Sequence, residues 1–156
     1  MENAHATEII IHHAYITPPT GKGPLFVTHH GAGSSGLSFA LFTSAIRKAL
    51  PNAGVLSLDA RGHGETVIKR SGASCADGVL NLSLGTLSRD LFDVIRLMQE
   101  KLGWAELPGL VLIGHSLGGA VVTDLAMSGK LGDAVLGYAV LDVVEGIYFR
   151  LLCLLP

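Results

Sequence analysis

The chain has 156 residues, of which 49% are apolar and only 15% charged, and 20 of them are glycine. That length argues for one domain, and a chain so apolar, with a charged share well under the roughly 25% typical, is not a disordered one. With 11 Lys and Arg against 13 Asp and Glu, a net charge of −2 and no basic run, a polybasic nucleic-acid binder is excluded as well.

Short apolar runs alternate with helical patterns, which predicts a parallel sheet with crossover helices. Glu8 to Ile16 (EIIIHHAYI) reads as a strand closed by Thr17-Pro18-Pro19-Thr20-Gly21. Leu25 to His29 (LFVTH) is a short buried strand running into the glycine loop Gly31-Ala32-Gly33-Ser34-Ser35-Gly36. The spacing of Phe39, Phe42, Ile46, Ala49 and their neighbours predicts a helix over Leu37 to Leu50, stopped by Pro51. Gly54 to Leu58 (GVLSL) is the next strand, ending on Asp59. Residues 60–82 read as a long irregular stretch, and loops of that length are more often functional than incidental. Ser83 or Thr86 caps a predicted helix to Lys101, with Leu87, Leu91, Val94, Ile95 and Met98 on one face. Leu110 to Gly114 (LVLIG) is a strand, and Leu117 to Ser128 a helix ended by Gly129. Leu136 to Leu141 (LGYAVL) is the last strand, ending on Asp142. The predicted fold class is α/β, an open sheet.

No run reaches the ~18 apolar residues of a membrane span, and the opening MENAHATEIIIHH lacks the basic and apolar regions of a secretory leader. Cys75 and Cys153 have neither metal-ligand spacing nor the density of a disulfide framework, so they read as free thiols in a reducing, intracellular compartment. The chain reads as cut short, because it ends on the apolar stretch Ile147 to Pro156 (IYFRLLCLLP).

Gly114-His115-Ser116-Leu117-Gly118 is a G-x-S-x-G nucleophile elbow with a buried strand before it and a helix after it. The turn is so sharp that small residues are needed two positions before and after the serine. It lifts the hydroxyl above the carboxyl edge of the sheet and aims a helix N-terminus at any oxyanion formed there. The bland alternative is a glycine-rich strand-to-helix turn with an accidental serine. His30-Gly31-Ala32-Gly33 resembles the loop that supplies the second oxyanion donor in α/β-hydrolases. The backbone N–H groups of Ala32 and Leu117 would then form the hole, with Gly31, Gly33, Gly114 and Gly118 as its structural glycines. A rival stays open. Gly31 to Gly36 also spells G-x-G-x-x-G, and Asp59 ends the next strand 23 residues after Gly36, where a dinucleotide-binding domain places its ribose-binding acid.

Asp142 lies 26 residues beyond Ser116 at the carboxyl end of a parallel strand, in the right order for a triad acid. A helix-capping role is the alternative. His63 precedes the serine, against the hydrolase order of serine, acid, histidine. It reads as part of a structural loop in which Arg61 and Asp59 hydrogen-bond across the turn. His115 is expected to be turned away from the serine, and His12 and His13 to be surface or satisfied core groups. His5 and His29 have no context that singles them out.

From about Leu25 to Gly146 the chain resembles the protein phosphatase methylesterases, a family within the α/β-hydrolases. LFVTHHGAG (25–33), LSFALFTSAI (37–46), LDARGHGET (58–66), LIGHSLGGA (112–120) and LDVVEG (141–146) carry the resemblance, ARGHGET and LDVVEG being its most particular pieces. It implies an α/β-hydrolase fold, truncated, with an open mostly parallel sheet and helices on both faces. It divides the chain into an N-terminal segment with a leading strand (1–24), the N-terminal part of the hydrolase domain (25–146) and a divergent apolar tail (147–156). The implied function is a serine carboxylesterase that demethylates the C-terminal leucine methyl ester of the type 2A protein phosphatase catalytic subunit. Ser116 is then the nucleophile and Asp142 the triad acid. Such acyl transfer needs no metal and no organic cofactor. The implied partner is the methylated phosphatase, with no nucleic acid and no membrane, in the cytoplasm, the nucleus or both. The family's triad histidine comes far downstream of the acid, whereas 14 residues follow Asp142 here and none is histidine. The expectation is therefore a chain inactive by itself. Another esterase or lipase on the same fold, or a non-catalytic phosphatase-binding fragment, are the alternatives.

Overall fold

A computed structural model describes residues 7–71 and 80–142. Cys75, Cys153, Val143 to Gly146 and the apolar tail lie outside those residues. In chain order the described strands are β1 (Thr7–Ile11), β2 (His13–Thr17), β3 (Leu25–His29), β4 (Gly54–Asp59), β5 (Val67–Ser71), β6 (Leu110–His115) and β7 (Val135–Leu141). The helices are α1 (Ala40–Ala49), α2 (Leu84–Lys101) and α3 (Leu117–Met127).

The main sheet runs β2-β4-β3-β6-β7, with β2 antiparallel to β4 and the other pairs parallel. β3 and β4 are buried at every position, as near-continuous apolar runs covered on both faces require. The strand period of two still sorts their side chains. Leu25, Val27, Leu56, Leu58, Leu110 and Leu112 form one core with Leu87, Leu91, Val94 and Ile95 of α2 and Val121, Val122 and Leu125 of α3. Phe26, Val55 and Ile113 form the other with Phe39, backed by Phe42 and Ile46 of α1. Helices therefore lie on both faces.

Three expectations are corrected. Glu8 to Ile16 is two strands, because the chain changes partners at His12: β1 pairs antiparallel with β5, β2 with β4. The stretch 60–82, expected to be irregular, contains β5 and is closed by that pairing. The helix over 37–50 begins as a 3₁₀ turn, Gly36–Phe39, and becomes α-helical at Ala40. Only its Phe39, Phe42 and Ile46 side face the sheet, and Leu41 is 86% exposed.

Candidate active site

β6 delivers Ser116 onto a backbone that non-glycine residues rarely adopt, with φ 51° and ψ −120°. Its N–H donates to Leu141 O (2.9 Å) and its C=O accepts from Gly119 N–H (2.8 Å), which ties the turn to both the end of β7 and the start of α3. The flanking glycines are required by contact. A Cβ on Gly114 would stand 2.1 Å from Gly118 O, and one on Gly118 would stand 2.1 Å from His29 O. The half-buried serine thus sits at the N-terminus of α3, where the Leu117 and Gly118 amides precede the first hydrogen bond of the helix.

The glycine loop passes beside it. A Cβ on Gly31 would lie 3.1 Å from Ser116 Cβ and 3.0 Å from His115 Nδ1. Ala32 and Gly33 follow at an exposed bend, Gly33 with φ 72°. Asp142 follows β7 directly, with φ 53° and a largely exposed side chain. Its Oδ2 is 4.0 Å from Nε2 of the exposed His115. The structure therefore brings Ser116, Leu117, Gly31 to Gly33 and Asp142 to one edge of the sheet. A cap made by Asp142 would fall on residues beyond 142, outside those described.

Around this edge three other histidines make hydrogen bonds. His63 Nε2 accepts from Gly33 N–H (3.0 Å) and its Nδ1 donates to Arg61 O (3.0 Å). His30, buried, accepts from Ala60 N–H (3.0 Å) and donates to Gly31 O (2.7 Å). His29 donates to His30 O (2.9 Å), and its buried Nε2 has no partner among the described residues. Burial pushes the His29 imidazole down to about 4, and lowers His30 as well. No imidazole among the described residues is hydrogen-bonded to Ser116 Oγ.

Asp59 is fully buried. Its Oδ1 accepts from Gly36 N–H (2.7 Å), and its Oδ2 accepts from Glu65 N–H (3.0 Å) and lies 2.9 Å from His13 Nδ1. Burial pushes this carboxyl up, but those hydrogen bonds outweigh it and hold the group below the usual carboxylate range. An acid fully buried behind these contacts is closed to a ribose, which removes the main support of the dinucleotide reading. The expected Arg61–Asp59 bond is also corrected. Arg61 binds Asp90 of α2 through two bonds (2.5 and 2.7 Å) and Glu8 through a third (3.1 Å). A guanidinium fork matches a carboxylate bidentately, whereas Asp59 is engaged with Gly36, Glu65 and His13.

Sequence reasoning missed Asp90, and it expected His13 to be a surface or satisfied group without naming its partner. Asp90 shares the helical phase of Leu87, Leu91 and Val94, and an acid on an apolar stripe signals a buried cation partner. His13 is satisfied by Asp59, which stands opposite it in the β2–β4 register, a pairing that no local pattern reveals. His12, by contrast, leaves a buried Nδ1 without a partner among the described residues. Among the described residues there is no group of three or more His, Cys, Asp or Glu placed to hold a metal, and no helix long and apolar enough to cross a membrane.

A family model described as the alpha/beta hydrolase family matches residues 25–152. The chain is 59% identical over 153 residues to "Protein phosphatase methylesterase 1" of Neurospora crassa, covering 92% of this chain and 34% of the relative. It is 64% identical over 137 residues to the protein of the same name in Aspergillus fumigatus, covering 88% of this chain and 32% of that protein. The chain thus spans about a third of the length of the curated relatives it matches. Among solved structures, epoxide hydrolase A from Mycobacterium thermoresistibile superposes with a TM-score of 0.62 at 21% identity, over 94% of this chain and 44% of that one. At that identity the likeness speaks for the fold.

Proposed function

Because this chain belongs to the α/β-hydrolase family, we propose that it carries the nucleophile, the oxyanion donors and the acid of a serine methylesterase. The observation that carries the reading is the left-handed Ser116 at the mouth of α3 beside the Gly31 loop, in a chain about 60% identical to named methylesterases. Ser116 Oγ attacks the ester carbonyl while a histidine takes its proton. The N–H groups of Ala32 and Leu117 hold the oxyanion, and Asp142 orients the histidine. Collapse of the tetrahedral intermediate expels methoxide, which leaves as methanol with the histidine's proton, and water then releases the carboxylate. The histidine comes from outside the described residues, since each described imidazole is either bound elsewhere or away from Ser116 Oγ. The substrate is the leucine methyl ester at the C-terminus of the type 2A phosphatase catalytic subunit, which would place the protein in the cytoplasm or nucleus.

The test joins residues 1–142 to the remainder of the Neurospora crassa relative and supplies a peptide ending in leucine methyl ester. The joined protein is expected to release methanol, and Ser116→Ala to lower kcat by at least ~10³-fold. The 156-residue chain alone is expected to retain only the weak rate of a site without its base. Comparable turnover by the chain alone would refute the outside histidine. Turnover of aryl esters but not of the methylated peptide would leave an esterase of another substrate class.

A further inference from the structure

Three buried or half-buried side chains tie the glycine loop to the segment after β4. The His30 ring bridges Gly31 O and Ala60 N–H. His63 Nε2 takes the Gly33 N–H, and Asp59 Oδ1 takes the Gly36 N–H. The His30 and His63 rings stand 5.1 Å apart, tilted by 60°, so the two imidazoles that hold the loop are neighbours. Three of the six residues from Gly31 to Gly36 are glycine, the residue with most backbone freedom to lose. Within the loop one turn bond, Ser34 N–H to Gly31 O (3.2 Å), spans Ala32; the three outside anchors fall at its start, middle and end, on both sides of Ala32.

We propose that Asp59, His30 and His63 are positioning residues: together they hold the loop so that Ala32 N–H meets the oxygen of a tetrahedral adduct on Ser116. This rests on the reading of Ser116 and Ala32 given above. His63 acts here as a hydrogen-bond acceptor at Nε2, not as a base. A neutral side chain with an oxygen in that place should therefore replace it, and one without should not.

Phenylboronic acid tests this on the 156-residue chain itself. Boron accepts a lone pair of Ser116 Oγ, the hydroxyl proton passes to solvent, and the tetrahedral anion presents an oxygen to the loop, so the missing histidine is not needed. Boron-11 resonance reads the adduct, and the amide resonance of Gly33 and the thermal midpoint are recorded beside it. The chain is expected to form the adduct and Ser116→Ala to form none. His63→Ala should weaken binding on the order of tenfold, as a misplaced donor does. His63→Gln, whose amide oxygen reaches the Gly33 N–H, should recover most of the affinity. His63→Asn, which reaches the Arg61 carbonyl but not Gly33, serves as the negative variant if the alanine protein does not fold. Binding unchanged in His63→Ala or His63→Asn, or an equal loss in Gln and Ala, overturns the positioning role while leaving Ser116 in place. An adduct that survives Ser116→Ala, or none in the parent chain, overturns the serine reading and the positioning role with it.

Discussion

His29 occupies the last position of β3, with Leu58 and Gly114 beside it in the register. It shows what a single buried imidazole does to stability. The fold holds it neutral down to about pH 4, whereas an unfolded histidine takes a proton near 6.5. Below about 6.5 the unfolded chain therefore binds more protons than the folded one, and stability falls as pH falls toward 4. His30 and His12 are lowered by burial as well and add in the same sense. For His29 alone the loss between pH 7.5 and pH 5 is about 2 kcal/mol. His29→Asn keeps a donor for His30 O and removes the titration, so its urea midpoint should drop less on acidification than the parent's. Equal drops in the two proteins would refute the assignment.

At the scale of elements, one buried ion pair ties α2 to the segment after β4. Asp90 and Arg61 are both almost fully buried, and their two hydrogen bonds fasten α2 to the turn after β4, with Glu8 adding a contact from β1. Asp90→Ala leaves the guanidinium buried beside Glu8 alone, and breaking a buried pair from one side costs about 3–5 kcal/mol. Urea unfolding followed by circular dichroism should show a loss of that size, and one well under ~1 kcal/mol would mean that water reaches Arg61. The α2 stripe itself was legible in the sequence because helical spacing of apolar residues reports burial. The partner of Asp90 was not, since Arg61 lies in a loop and no periodicity connects the two.

At the scale of the molecule, the parallel sheet extends, among the described residues, as far as β7, which there pairs on one side only. Leu136, Tyr138 and Val140 alternate along it and are 67%, 46% and 46% exposed. An apolar strand with an unpaired edge is a template for another strand. The purified chain should therefore elute larger than a monomer as its concentration rises, and Val140→Lys should move it back. Light scattering that finds the parent monomeric throughout would refute this.

By itself the sequence determined the α/β class, the strand-elbow-helix at Ser116 and the glycine loop, because each depends on residues close in the chain: apolar runs, helical spacing and small residues flanking a tight turn. It also placed Ser116, Asp142 and Gly31 to Gly33 at one sheet edge, since carboxyl ends of parallel strands share an edge. Only the tertiary structure decided that the first strand splits at His12, that β5 lies in the apparent loop, that Asp59 holds Gly36 and Glu65, and that Arg61 turns to Asp90. Except for the short reach from Asp59 to Glu65, those contacts join segments separated by an intervening strand or helix. Register and competition for hydrogen-bond partners, set only once the sheet has assembled, choose among several polar groups that the chain presents on equal terms.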